Sequence, residues 1–245
     1  MILFSFICLY SNTALKKKQD GKTKEKRARP CFFLSGLLYW IRKGGDEVKI
    51  LLSDCAILTE RDLTRFLDAL PPGRRAYAER YRNAGDRATA AIGFLLVSRL
   101  IEEYDPALSR VDWTIGEHGK PHVSGAPFHF SLSHSDGLCA AAIAPRPIGL
   151  DVEKIRPLRR ALLPRFCTPD EIAACENDPD LAVKIWTRRE AKAKENGRGI
   201  GQKLTVLPTE GVTSVRVSSG GRDFWLSCTA NEPIEVVTVK PEELP

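Results

Sequence analysis

Pro147-Ile148-Gly149-Leu150-Asp151-Val152-Glu153-Lys154 is the stretch on which the reading of this chain turns. From Leu150 apolar and charged residues alternate, the pattern of a strand that buries one face. Side chains two apart on a strand point the same way, so Asp151 and Glu153 project together while Leu150 and Val152 enter a core. Two carboxylates about 7 Å apart along one strand repel each other and are costly to bury unpaired. A hard cation answers both problems, and Mg²⁺ commonly takes one or two carboxylates together with substrate phosphates. Two plainer readings use the same residues: an exposed edge strand with solvated acids, or pairing with Lys154 and Arg156.

Working outward, Leu138–Ala144 is a small-residue apolar run suited to a buried strand, and Phe128–Ser133 alternates at period two. The whole of Trp113–Ile143 reads as short strands joined by turns. On the other side, Thr168-Pro169-Asp170-Glu171 is a helix start, and a second helix is expected from about Asp180 to Asn196, ended by Gly197. Ser214–Val217, Phe224–Cys228 and Glu235–Val239 then alternate as strands, with Gly220-Gly221 as a hairpin turn. Nearer the N-terminus, Val48–Ser53 is strand-like and Thr59 offers an N-cap for a helix to about Leu70. Pro71-Pro72-Gly73 breaks it, and helical spacing resumes over Arg74–Tyr81. Ile92, Leu95, Leu96, Leu100 and Ile101 mark an amphipathic helix between Asp86 and Glu103. Both parts run strand, helices, strands. The expected architecture is therefore α+β, with two pseudo-duplicated α/β halves at residues 46–145 and 146–245, the second carrying the Asp151–Glu153 pair and the metal site if that pair binds one.

The formal net charge of the 245-residue chain is +6, from 37 Lys and Arg against 31 Asp and Glu. Residues 16–29 carry eight basic and two acidic side chains, and residues 1–15 carry none, so the excess lies in that run. A neutral body excludes a uniformly basic nucleic-acid-binding domain. Residues 1–45 form an appendage without helical or strand period, read as a disordered or non-native leader, with a basic tail touching a membrane surface or nucleic acid as the alternative. The apolar runs Met1–Tyr10 and Cys31–Ile41 are about half the ~20 residues a membrane-spanning helix needs, so no stable membrane insertion is expected. Seven cysteines with no C-x-x-C pair fit a reduced, cytoplasmic chain.

Three further groups carry chemistry. Glu190 and Lys194 are i and i+4 in the second helix, one face, which suits either a surface ion pair or a metal ligand beside a phosphate clamp. The Gly119-Lys120-Pro121 turn exposes backbone and one cation, and Ser133 and His134 can donate hydrogen bonds to phosphate oxygens. An ordinary hairpin turn and strand end explain the same residues. Four histidines without cysteines at partner spacing argue against zinc.

Taken in order, Gly119-Lys120-Pro121, Ser133-His134-Ser135, Ile148–Lys154, Trp186-Thr187-Arg188-Arg189-Glu190-Ala191-Lys192-Ala193-Lys194 and Gly197-Arg198-Gly199 resemble the 4′-phosphopantetheinyl transferases of the surfactin-synthetase-activating type. The resemblance covers about Val48 to Leu244. It implies that family's fold, a cleft between the halves, and Mg²⁺-dependent transfer of the phosphopantetheine arm of coenzyme A to a serine of an acyl or peptidyl carrier protein. Adenosine 3′,5′-bisphosphate would be released. By the same resemblance Asp151, Glu153 and Glu190 are metal ligands, Glu190 helps deprotonate the serine, and Lys194 neutralises the diphosphate. Gly119, Lys120 and Pro121 line the adenine site, Ser133 and His134 hold phosphate oxygens, and Arg74 reaches the 3′-phosphate. The chain departs from the family pattern at Tyr77 and Thr89, where basic residues are usual, at Arg189, where the family often has Lys, and from Ile200 onward. A monomer acting on carrier proteins is expected, with no nucleic-acid partner; the alternative is a catalytically silent module that binds coenzyme A or a carrier.

Overall fold

Two small sheets sharing one core place the residues singled out above. The computed structural model describes residues 48–56, 58–108, 113–116, 120–176, 178–197, 204–231 and 234–245. The basic appendage, Gly119 and residues 198–203 lie outside that set.

The first half runs β1 (Val48–Asp54), α1 (Glu60–Asp68), α2 (Pro72–Ala78) and α3 (Ala84–Tyr104). A short ribbon of β2 (Thr114–Ile115) and β3 (Pro121–His122) and the hairpin of β4 (His129–Ser135) and β5 (Leu138–Ala144) complete it. The second half repeats the order with β6 (Leu150–Lys154), α4 (Pro169–Cys175), α5 (Pro179–Glu195), the hairpin of β7 (Thr213–Ser219) and β8 (Arg222–Cys228), and finally β9 (Ile234–Thr238).

Helix starts follow their capping residues. Thr59 and Thr168 each accept from the N3 amide, and Asp62 and Glu171 reach back to the cap, which closes two capping boxes. α2 is shifted from the sequence expectation at both ends: it stops at Ala78 rather than Tyr81 and begins inside the Pro71-Pro72-Gly73 break. Pro71 is its N-cap and Pro72 its first residue, where a missing amide proton costs nothing.

The first sheet has the order β4-β5-β1-β9 and the second β6-β8-β7. Period-two alternation divides the core. Leu51, Ala141 and Ile143 pack with Ile92 and Leu96 of α3, whereas Ile50, Leu52, Ala140 and Ala142 turn to the other face and meet Leu150, Val152, Phe224 and Leu226 of the second sheet. Each fully buried Leu or Ile contributes roughly 1.5–3 kcal/mol, so this shared layer binds the halves firmly. β9, from the second half, pairs in parallel with β1 and completes the first sheet.

β4 and β6 are edges of different sheets, yet they run side by side through side chains. Ser131, Ser133 and Ser135 Oγ accept the amide protons of Leu150, Val152 and Lys154 at 3.0, 3.2 and 3.2 Å. The outer edge of β6 is thereby satisfied without a backbone ladder. At the far end Arg222 of β8 donates to Asp54 and to the Asp136 carbonyl, while Lys154 pairs with Asp136 at 2.7 Å. Among the described residues no helix is long and apolar enough to cross a membrane, and the five cysteines are free thiols.

Candidate functional site

The site lies where α5 rests on β6. Asp178 caps the helix by accepting from Asp180 N and Leu181 N at 3.1 Å, Pro179 supplies the first residue, and Gly197 at φ 70° follows its end. Helix and strand touch at Gly149. A β-carbon there would stand 1.8 Å from Ala191 O and 2.6 Å from Glu195 N, so only glycine permits the approach.

That contact lays Thr187, Glu190 and Lys194, at i, i+3 and i+7, over the polar face of the second sheet. Thr187 Oγ1 lies 2.8 Å from Ser227 Oγ, and Ser227 pairs across the ladder with Asp151. Lys194, 8% exposed, donates from Nζ to Asp151 Oδ1 at 2.8 Å, and Asp151 is 2% exposed. Asp151 is thus not a solvated edge acid, and Lys194 pairs across to the strand. Glu190 is buried, and among the described residues neither of its oxygens, nor Asp151 Oδ2, has a hydrogen-bond partner. Glu153, partly accessible, accepts from Ser135 Oγ at 2.7 Å, as Asp151 does from Ser133 Oγ at 2.8 Å.

The electrostatics follow from this crowding. Burial, then the Asp151 charge, pushes Glu190 up to about 8 and Glu153 up to about 7. Burial raises Asp151 as well, opposed by Lys194 and Ser133. His134 is driven down to about 4 by burial and by Lys194, so it is neutral at pH 7. A dication would answer the orphaned oxygens and the mutual repulsion together, and carboxylate oxygens are the donors a hard ion takes. The three carboxylates fit such an ion in chemistry, although among the described residues no three His, Cys, Asp or Glu side chains are grouped as a ready metal cage.

Beside the trio, a cleft of about 580 Å³, partly open to solvent, runs between α2, α3 and β4. Its lining brings together Arg74, Pro121, Ser133 and His134 from the sequence reading with Tyr77 and Thr89. Ser133 therefore touches both cleft and carboxylates. Arg74 donates to the Trp113 carbonyl and lies over the Trp113 ring, 4.5 Å from its centroid. Thr89 donates back into its own helix, to Gly85 O at 2.8 Å. Lys120 is used differently from a free cation. Its Nζ donates to the carbonyls of Ile148, Lys194 and Glu195 at 2.9, 2.7 and 3.2 Å, and burial lowers it to about 8. It ties the end of α5 to the start of β6 and to the β3 turn. Arg189 points away and pairs with Glu171 at 2.9 Å.

Sequence reasoning gave no role to the cleft walls Phe94, Trp113, Leu132 and Cys139, of which only the buried Cys139 thiol carries a reactive group. It quoted Ser135 within the Ser133-His134-Ser135 motif but gave neither Ser135 nor Ser131 a role. For these a signal existed: serines at period two, in step with the 149–153 alternation.

Comparison with known proteins points to one family. A profile of the 4′-phosphopantetheinyl transferase superfamily matches residues 147–225, from just before β6 into β8. The chain is 30% identical over 169 residues to the 4′-phosphopantetheinyl transferase psf-1 of Bacillus pumilus, covering 64% of this chain and 72% of that protein. It is 28% identical over 154 residues to the 4′-phosphopantetheinyl transferase Sfp of Bacillus subtilis (strain 168), covering 60% and 69%. With the 4′-phosphopantetheinyl transferase AcpT of Salmonella typhimurium it shares 34% identity over 132 residues, covering 50% and 66%.

Proposed function

Because the chain belongs to the 4′-phosphopantetheinyl transferase superfamily and is a transferase, we propose that it moves the phosphopantetheine arm of coenzyme A to a serine of an acyl or peptidyl carrier protein. The reaction uses Mg²⁺ and releases adenosine 3′,5′-bisphosphate. One observation carries the reading: a buried Asp151–Lys194 pair stands beside unpartnered carboxylate oxygens on Asp151 and Glu190, next to a cleft lined by Arg74, Pro121, Ser133 and His134.

In this reading Asp151, Glu153 and Glu190 hold the Mg²⁺ ion. The bound ion supplies positive charge against the diphosphate oxygens of coenzyme A. Glu190 takes the proton of the carrier serine, directly or through a water, as the serine oxygen bonds to the phosphorus that carries the pantetheine arm. The bond from that phosphorus to the bridging oxygen breaks, and Lys194 balances the charge that gathers on the departing phosphate. Neutral His134 donates a hydrogen bond to a phosphate oxygen, and its low proton affinity keeps it neutral at the working pH. Arg74, Lys120 and Pro121 with Gly119 flank the nucleotide end.

Incubation with apo carrier proteins, coenzyme A and Mg²⁺ should add the phosphopantetheine mass to a carrier, read by mass spectrometry. Asp151→Asn should cut the rate by at least about 100-fold, beyond the ~10–100-fold that partners of metal ligands are worth. No addition to any of several carriers would overturn the proposal, and coenzyme A binding without turnover would mark the chain as a binding module.

A further inference from the structure

The serines of β4 act three times, with one difference. Each hydroxyl oxygen of Ser131, Ser133 and Ser135 accepts an amide proton from β6, and each hydroxyl still has a proton to give. Ser133 gives it to Asp151 and Ser135 to Glu153. In the matching place beside Ser131 stands Gly149, which has no side chain to receive it. Two rungs therefore join strands and hold carboxylates, while the third only joins strands.

The two carboxylates are not held equally. Asp151 Oδ1 accepts from both Ser133 and Lys194, so losing either donor leaves it one. Among the described residues, the side-chain donor to Glu153 is Ser135, 4% exposed and fixed in the middle of its rung. A glutamate carries three side-chain torsions, and a partly accessible one wanders unless an oxygen is anchored.

Resting on the metal reading above, we propose that Ser135 is a positioning residue: by anchoring Glu153 Oε2 it presets the Asp151–Glu153 pair to receive a divalent cation. Hydrogen-bond partners behind metal ligands commonly set affinity in this way. Because the serine bonds to Glu153 and is not among the residues that line the cleft, its loss should weaken cation binding and leave the chemistry at saturating cation nearly intact.

The experiment compares the full chain with Ser135→Ala and Ser131→Ala. Binding of Mn²⁺ is followed by the loss of the free-ion electron paramagnetic resonance signal, and transfer is assayed across Mg²⁺ concentrations. Ser135→Ala should weaken Mn²⁺ binding about tenfold or more and raise the half-saturating Mg²⁺ by a similar factor. Its rate at saturating Mg²⁺ should stay within about threefold of the parent. Ser131→Ala loses the same kind of strand bond and should bind Mn²⁺ as the parent does. If Ser135→Ala does not fold by circular dichroism, Ser135→Cys keeps the volume with a much weaker donor, and the same loss is expected. Unchanged Mn²⁺ binding in the Ser135 variants would overturn the positioning role alone, as would an equal loss in Ser131→Ala, which would assign the effect to strand packing. A parent chain that bound no Mn²⁺ would overturn the metal reading and this role with it.

Discussion

Glu190 is the residue at which burial and function conflict most sharply. Its proton affinity is raised to about 8, and that of Glu153 to about 7, against an ordinary glutamate value of 4.5. Without a cation the folded chain therefore holds protons that the unfolded chain has released, and stability must fall as pH rises through about 7 to 8. His134 works the opposite way, because its folded value of about 4 lies below the ordinary 6.5, so it favours folding as pH rises between those values. The clean window is pH 6.5 to 8. Metal-free melting temperature should decline across it, Glu190→Gln should flatten the decline, and Mg²⁺ should raise the melting temperature more at pH 8 than at pH 6.5. Calorimetry with and without chelator checks this; a metal-free melting temperature that climbs through the window contradicts it. At this scale the sequence was informative where period alone decides orientation, as for Asp151 and Glu153. It presented Lys120 as the exposed cation of a turn, whereas its Nζ donates to three carbonyls, because which carbonyls a lysine meets depends on elements distant in the chain.

α5 and β6 are coupled through an absence, the missing side chain of Gly149. Gly149→Ala would push its β-carbon into Ala191 O and Glu195 N, both backbone atoms that no rotamer change can move. The variant should lose more than about 3 kcal/mol, at or beyond the upper end of ordinary overpacking, read as a lower urea midpoint. Folded Gly149→Ala should also bind Mg²⁺ less well, since Glu190 and Lys194 move off Asp151 with their helix. A midpoint unchanged from the parent would mean that helix and strand do not touch there. Helix boundaries were legible because caps are local: Thr59, Thr168 and Gly197 announce themselves by residue type. The start of α2 was misplaced by two residues because Pro-Pro-Gly reads as a break and serves here as a cap and first turn.

For the molecule as a whole, the division at residue 145 that the repeated order suggests is crossed by β9, which belongs to the first sheet. Nothing in Ile234–Thr238 announces the partner, since alternation gives a strand its faces and not its neighbour. A chain ending at Asn231 keeps every residue of the candidate site yet lacks β9, and it should show no cooperative thermal transition by near-ultraviolet circular dichroism. Retained cooperativity would make β9 an accessory. The same pairing bears on how the protein is made. β1 is the first of the described strands to leave the ribosome, and among the described residues the strand that pairs with one of its flanks is not complete until residue 238 has followed. The nascent chain must therefore carry an open, apolar strand edge through most of its synthesis, which makes this edge the natural hold for a chaperone and the first place a stalled chain would aggregate.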